Sequence, residues 1–306
     1  MNHTTGSVHM VEVGSHNHGK PIGNEGLFLS HAYVGTFLLG LGMWWWIQAL
    51  RHCYSSVRFG IRKYTAQISH GCGCCPNHMS EGVAKVIICL IGMGIEAGTI
   101  SLGRHRDYAY YPFYTAMLMA GVIDIVTSTK VFLPDGLDYM MHSLPFVFQA
   151  YCMRAQAYDQ PHVTATCRHL SSYIGVLAAA AIFGEMVSRQ QFLLSWVKCF
   201  TVMLCGAWFW QTGLLLNPPF AKPWAEDSHN NVMYAAIVCA WQMFFVSVIQ
   251  IFILIIVAKC LGTSTDWTQS SGARGDSVDR YGRSMHTDPR HNVQYTKLLN
   301  SEEPNE

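Results

Sequence analysis

The sequence predicts an all-α membrane protein, a polytopic bundle of seven transmembrane helices, and three observations carry that expectation. Half of the 306 residues are hydrophobic and only 13% are charged, against about 25% charged in an ordinary soluble domain. Apolar windows of about 20 residues, enough to cross a hydrocarbon core of roughly 30 Å, recur seven times along the chain. The run that begins near Gln191 closes on Trp208, Phe209, Trp210 and one amide, Gln211, and then meets Pro218 and Pro219. Proline has no N–H to donate, so a helix leaving the bilayer stops there, and aromatic residues collect at that depth. A net charge of +1 leaves no basic footprint for nucleic acid. The partner that the composition implies is the lipid bilayer.

Three segments follow from the same patterning. Residues 1–26 are polar and carry His3, His9, His16 and His18, with no apolar stretch of the kind a cleaved signal peptide needs. Two imidazoles on a flexible tail lack the surrounding groups that hold a metal ion, so this tail reads as solvated. Residues 27–261 form the transmembrane domain. Residues 262–306 are rich in Ser, Thr, Arg, Asp and Asn, bury too little apolar surface to fold alone, and read as a disordered cytosolic tail.

The first span, residues 27–50, enters through His31 at headgroup depth and leaves through Trp44, Trp45 and Trp46. Gly35, Gly40 and Gly42 suit close helix approach. In the loop that follows, His70, Cys72, Cys74, Cys75 and His78 fall within nine residues. Structural zinc sites use ligand pairs separated by a longer loop, and this spacing does not match. Cys72, Cys74 and Cys75 are instead candidates for acylation beside the membrane. The remaining spans are expected at 82–102, 107–129, 137–155, 168–187, 192–216 and 231–261.

Orientation follows from Lys and Arg near the helix ends. With the amino terminus lumenal or extracellular, twelve basic residues fall inside and six outside. Lys85 and Lys198 lie in the cytosolic parts of their spans. The carboxyl terminus is then cytosolic.

Chemistry in such a chain hides in the ionisable residues of the spans, because a bare charge in hydrocarbon costs at least about 2.5 to 3.5 kcal/mol and turns to the bundle interior. Glu96 has Gly92 one turn before it, and Gly94 and Gly98 offer a second close-packing face. Asp124 has Ala120 and Gly121 on one side and Thr127 and Ser128 on the other, which places it inside. Glu185 has Arg189 four residues on, the spacing of a helix ion pair. Lys198 has two readings: it reaches the surface, or it meets Asp124 or Glu185. An outward group comprises His31, Glu96, Tyr110, Gln149, Arg154, Gln156, Gln211 and Gln242. It can relay protons or hold a cation, or it can fix the bundle through hydrogen bonds of about 0.6 to 2 kcal/mol each.

Several stretches resemble the transmembrane protein 45 family across nearly all of the membrane region. They are His31-Ala32 through Trp44-Trp45, Gly121-Val122-Ile123-Asp124, Ala207-Trp208-Phe209-Trp210-Gln211 with Pro218-Pro219-Phe220, and the tail segment Tyr295 to Asn300. The resemblance implies a multi-span protein of ill-defined biochemistry. It also implies extra histidines and a glutamate on the outward side, where this chain has Gln149 for the glutamate and Tyr110, Gln156, Tyr158 and Gln242 for histidines. One imidazole and one carboxylate fall short of the three or four ligands that a transition metal needs. No metal site and no cofactor are therefore expected.

Three functions remain open at this point. The chain reads first as a non-enzymatic, structural or trafficking protein of endomembranes. A proton or small-cation transporter using Glu96 and Asp124 is the alternative. A membrane-embedded enzyme with a degraded His/Glu site is weaker, because no nucleophile stands at a recognisable spacing from a base and its orienting group. Tyr295 and Leu298 have the spacing read by sorting adaptors, which tilts the expected location toward Golgi and endosomal membranes over the plasma membrane.

Overall fold

The computed structural model describes residues 25–59, 64–71, 79–101, 108, 110–129, 131–158, 160–219, 224–225 and 228–260. Cys72, Cys74, Cys75, Tyr295 and Leu298, with both terminal tails, lie outside the described residues. Among those described, the secondary structure is entirely helical: α1 (Glu25–Phe59), α2 (Met79–Ser101), α3 (Tyr111–Ser128), α4 (Leu137–Gln156), α5 (His162–Val187), α6 (Phe192–Leu216) and α7 (His229–Cys260). Four of them, α2, α5, α6 and α7, are long and apolar enough to cross a membrane. The other three are more polar or shorter. Helix α4, for example, carries Asp138, His142, Gln149 and Arg154 within 20 residues.

Helices α1 to α6 close into a ring, each packed on the next, with α6 returning to α1 over the most extensive interface in the fold. Small residues make that return possible. A Cβ built on Gly206 would lie 2.6 Å from the Leu39 nitrogen and 2.7 Å from the Gly35 carbonyl oxygen, so the two backbones touch where glycine alone fits. Gly82 and Gly121 do the same for α2 and α3, each lacking room for a Cβ beneath the other's carbonyl. The thinnest seam of the ring is between α1 and α2. Helix α7 lies outside the ring against α1, α5 and α6, and buries only the stripe Ala235, Cys239, Val246 and Gln250.

The structure corrects three local expectations. Gly40, Gly94 and Gly98 face open space, with nothing within 4 Å of an added Cβ, so α2 is packed along one stripe through Glu81, Lys85, Cys89, Gly92 and Glu96. Trp45 and Trp46 are fully buried and α1 continues past them to Phe59; these indoles are interior donors, not an exit girdle. Helix α5 starts at His162, directly after Pro161, because a proline's fixed φ favours the start of a helix.

Candidate functional site

Helix geometry places Glu81 and Lys85 on one face of α2, four residues apart. The Gly82–Gly121 crossing then brings α3 so close that Asp124 Cβ lies 2.9 Å from the position of a Cβ on Gly82. Its carboxylate therefore faces the same lysine. Lys85 Nζ lies 2.7 Å from Glu81 Oε1, 2.9 Å from Asp124 Oδ2 and 2.7 Å from His142 Nε2. An ammonium has three protons, and three acceptors surround this one. His142 Nδ1 is 2.7 Å from the Asp138 carbonyl oxygen. A carbonyl only accepts, so Nδ1 carries the hydrogen and Nε2 offers its lone pair to Lys85.

The second carboxylate oxygens are used as well. Glu81 accepts from the indole N–H groups of Trp44 and Trp45 at 3.0 and 2.8 Å and from the backbone N–H of His70 at 2.8 Å. Asp124 Oδ1 accepts from Ser69 Oγ at 2.5 Å. Ser69 and His70 belong to the segment 64–71, which folds back onto the bundle and is held by a bond of 2.6 Å from the Ala66 N–H to the Arg189 carbonyl. Four helices and one loop thus converge on a single lysine.

A second ion pair stands beside the first. Lys198 of α6 is 2.6 Å from Glu185 of α5, and Ser195 donates to the same carboxylate. Tyr64 is 2.7 Å from the Ser195 hydroxyl, and burial pushes its phenol above the ordinary range. Trp45 is the wall between the pairs: Lys85 Nζ is 5.3 Å and Lys198 Nζ 5.1 Å from its ring centroid. Such distances give each cation the negative face of the indole. The expected pairing of Glu185 with Arg189 does not form. Arg189 lies beyond the end of α5 at Val187, off the helical face, and its guanidinium sits 4.9 Å from the Tyr139 ring.

Two openings border this assembly. A lateral cleft of about 490 Å³ along the α1–α2 seam is lined mostly by apolar residues and reaches Glu81 and Lys85. A smaller cavity of about 140 Å³, lined by Ser69, Asp124, Asp138 and Arg189 among others, reaches Asp124 from the loop side.

The other residues singled out in the sequence meet neighbours of several kinds. His31 packs edge-on to Tyr110 and Phe209, with ring centroids 5.5 and 6.4 Å away. Glu96 is fully buried and within electrostatic reach of the Tyr114 phenol. Gln149 rests against the Cys205 thiol. Gln211 and Gln242 meet at 3.5 Å, the limit of a hydrogen bond, while Gln242 Nε2 donates to the Ala207 carbonyl at 3.2 Å. Arg154 meets His169, and Arg168 donates to Gln156.

Glu81, Lys85, His142, Ser69 and His70 were not singled out by sequence reasoning as one site. The signal for part of it was present: a Glu and a Lys four apart inside an apolar window pair with each other before they meet anything else. Among the described residues, no group of three His, Cys, Asp or Glu side chains is arranged to hold a metal ion. Where two carboxylates and an imidazole converge, the resident cation is the protein's own ammonium.

A family model described as a family of unknown function, DUF716, matches residues 135–255. The match runs from the turn before α4 into α7 and takes in His142, Glu185, Lys198 and the aromatic stretch that ends at Gln211. Glu81, Lys85 and Asp124 lie before it.

Proposed function

We propose that this is a seven-span integral membrane protein of the transmembrane protein 45 type, non-enzymatic, with a structural or trafficking role in endomembranes. One observation carries the reading: Lys85 has a full set of acceptors drawn from α2, α3 and α4. A buried charge so completely paired is a fastener. In lipid its alternative is an unsatisfied ion, and the helices that supply its partners are held together by that penalty. The lengths of α3 and α4, 18 and 20 residues, correspond to roughly 27 and 30 Å and suit a single crossing of the hydrocarbon core. With basic residues concentrated inside, the amino terminus is lumenal or extracellular and the ionic assembly lies toward the cytosol. The endomembrane location rests on Tyr295 and Leu298. The hydroxyls of Ser69 and Ser195 each donate to a carboxylate that a lysine ammonium already pairs, which lowers its strength as a base for activating a nucleophile.

A second reading, proton or small-cation transport, has its own observation. Asp124 borders the loop-side cavity and Lys85 borders the lateral cleft, so one ion pair separates two openings. Flux of protons and monovalent cations into proteoliposomes separates the two functions. Wild type, Glu96→Gln and Asp124→Asn at the level of empty vesicles is the expected result. Flux in wild type that Asp124→Asn abolishes would replace the structural reading with the transport one.

A further inference from the structure

On the opposite flank of the ring, α4 and α5 leave a second lateral cleft, of about 600 Å³. Small residues line it, Ala150, Ala179 and Ala180, and the two helices approach closely at Gly175, where an added Cβ would lie 3.3 Å from the Ala150 Cβ and 3.2 Å from the Phe146 carbonyl oxygen. Its walls stand outward, with Val147, Tyr151, Val176 and Phe183 all between 46 and 74% exposed. Of its three hydroxyls the two serines are already committed, Ser172 to the Ala150 carbonyl and Ser143 to the Met140 carbonyl, and the third belongs to the exposed Tyr151 on the rim. What enters along its length is therefore apolar. From Ser143 to Arg154 on α4 the cleft runs roughly 16 Å at 1.5 Å per residue, about half of a hydrocarbon core of ~30 Å. That is the depth of one leaflet.

The chemistry at its end is of another kind. Arg154 closes the cleft, is exposed, and has no carboxylate within ion-pair distance among the described residues. Its guanidinium Nη1 is 2.8 Å from His169 Nδ1. A guanidinium can only donate, so His169 accepts at Nδ1 and is left with an N–H at Nε2. Arg168 adds a further positive charge beside them, bonded to Gln156. The end of the cleft is a patch of donors and positive charge, complementary to phosphate oxygens.

We propose that this cleft binds a glycerophospholipid, with one acyl chain lying between α4 and α5 and the phosphate on Arg154 and His169. The site rests on the membrane placement of the chain and is independent of whether the ionic assembly transports anything. Its walls are exposed on the outside of the ring, the side that the proposed membrane placement turns to lipid.

Native mass spectrometry of the delipidated full-length protein, titrated with phosphatidylglycerol, tests the site. Wild type should take up one tightly held lipid. Arg154→Gln should weaken that binding about tenfold, the worth of one charge-assisted hydrogen bond. Ala180→Trp, which fills the cleft from α5 with Arg154 intact, should weaken it as well, and both variants should keep the melting temperature of wild type. Unchanged binding in both variants would overturn the proposal. So would diacylglycerol bound as tightly as phosphatidylglycerol, since the phosphate would then go unread, or displacement of the lipid by millimolar inorganic phosphate. Release of the unaltered protein from membranes by alkaline carbonate would instead refute the membrane placement beneath it.

Discussion

At the end of the bundle where the segment 64–71 folds in, Glu81 and Asp124 share the Lys85 ammonium and Glu185 meets that of Lys198. Toward the other end, Gln149 rests against the Cys205 thiol and Gln242 makes hydrogen bonds of 3.2 and 3.5 Å, while Glu96 is fully buried within electrostatic reach of the Tyr114 phenol. The two regions are joined by the same helices. On α2, Glu81 and Glu96 are separated by roughly 22 Å of helix. The difference lies in what else reaches them. Near Glu81 a loop delivers the backbone N–H of His70 to that carboxylate and the Ser69 hydroxyl to Asp124 beside it, and α1 delivers two indole donors to Glu81. A charge buried in lipid is sustainable where non-helical backbone and side chains from several elements can surround it. At the other end the amides Gln149 and Gln242 carry no net charge and need less, and Glu96 is the carboxylate among them.

Breaking the first region should therefore have the largest effect. Lys85→Met keeps the length of the side chain but leaves Glu81 and Asp124 buried without a cation. Removing one partner of a buried pair costs about 3 to 5 kcal/mol. Thermal unfolding of the detergent-solubilised protein should show this loss, or the variant should fail to accumulate. A Lys85→Met protein as stable as wild type would mean that the network is incidental to the fold.

Much of the scaffold was legible in the chain, and less of the site. The sixth span was expected at 192–216, and α6 occupies Phe192–Leu216, because an uninterrupted apolar run with a proline stop leaves one answer. Helix α7 is as apolar as α6 and was equally visible. Its peripheral place was not, since hydropathy does not distinguish a helix facing lipid from one facing other helices: α6 is 61% buried over its most apolar window and α7 11%. The same limit hid the role of glycines. Gly94 and Gly98 have the spacing of a packing pair and face open space, while Gly206 and Gly82, with no such partner nearby in sequence, make the closest backbone approaches. Asp124 could be placed inside from its small neighbours. Its partners could not, because Ser69 comes from a polar loop without periodicity and His142 from the next helix, whose rotation the sequence does not fix. Which ends of which helices share a depth was readable; which side chains meet there depends on helix rotation.

The backbone contact between α1 and α6 sharpens the comparison from the side of packing, since Gly206 stands between Cys205 and Ala207, the residues of α6 that meet Gln149 and Gln242. Gly206→Ala should cost about 1 to 3 kcal/mol, because the added methyl group meets main-chain atoms of α1 that cannot rotate away. Gly94→Ala on the open face of α2 should be neutral or slightly stabilising, since alanine favours helix over glycine. Paired melting curves of the two variants measure the difference. Equal stability would mean that α1 and α6 sit further apart than the glycine contact requires.

The smallest effect is expected where the second region is thinnest. Gln242 gives one hydrogen bond of 3.2 Å to the Ala207 carbonyl, an oxygen that already has its helical partner, and touches Gln211 only at 3.5 Å. Interhelical hydrogen bonds within membranes are worth about 0.6 kcal/mol on average. Gln242→Leu removes the amide and adds apolar contact between α6 and α7, so it should change the melting temperature little in either direction. A loss comparable to that of Lys85→Met would show that the amides carry as much of the fold as the ions do. The contrast between the two ends would then lie in bond length alone.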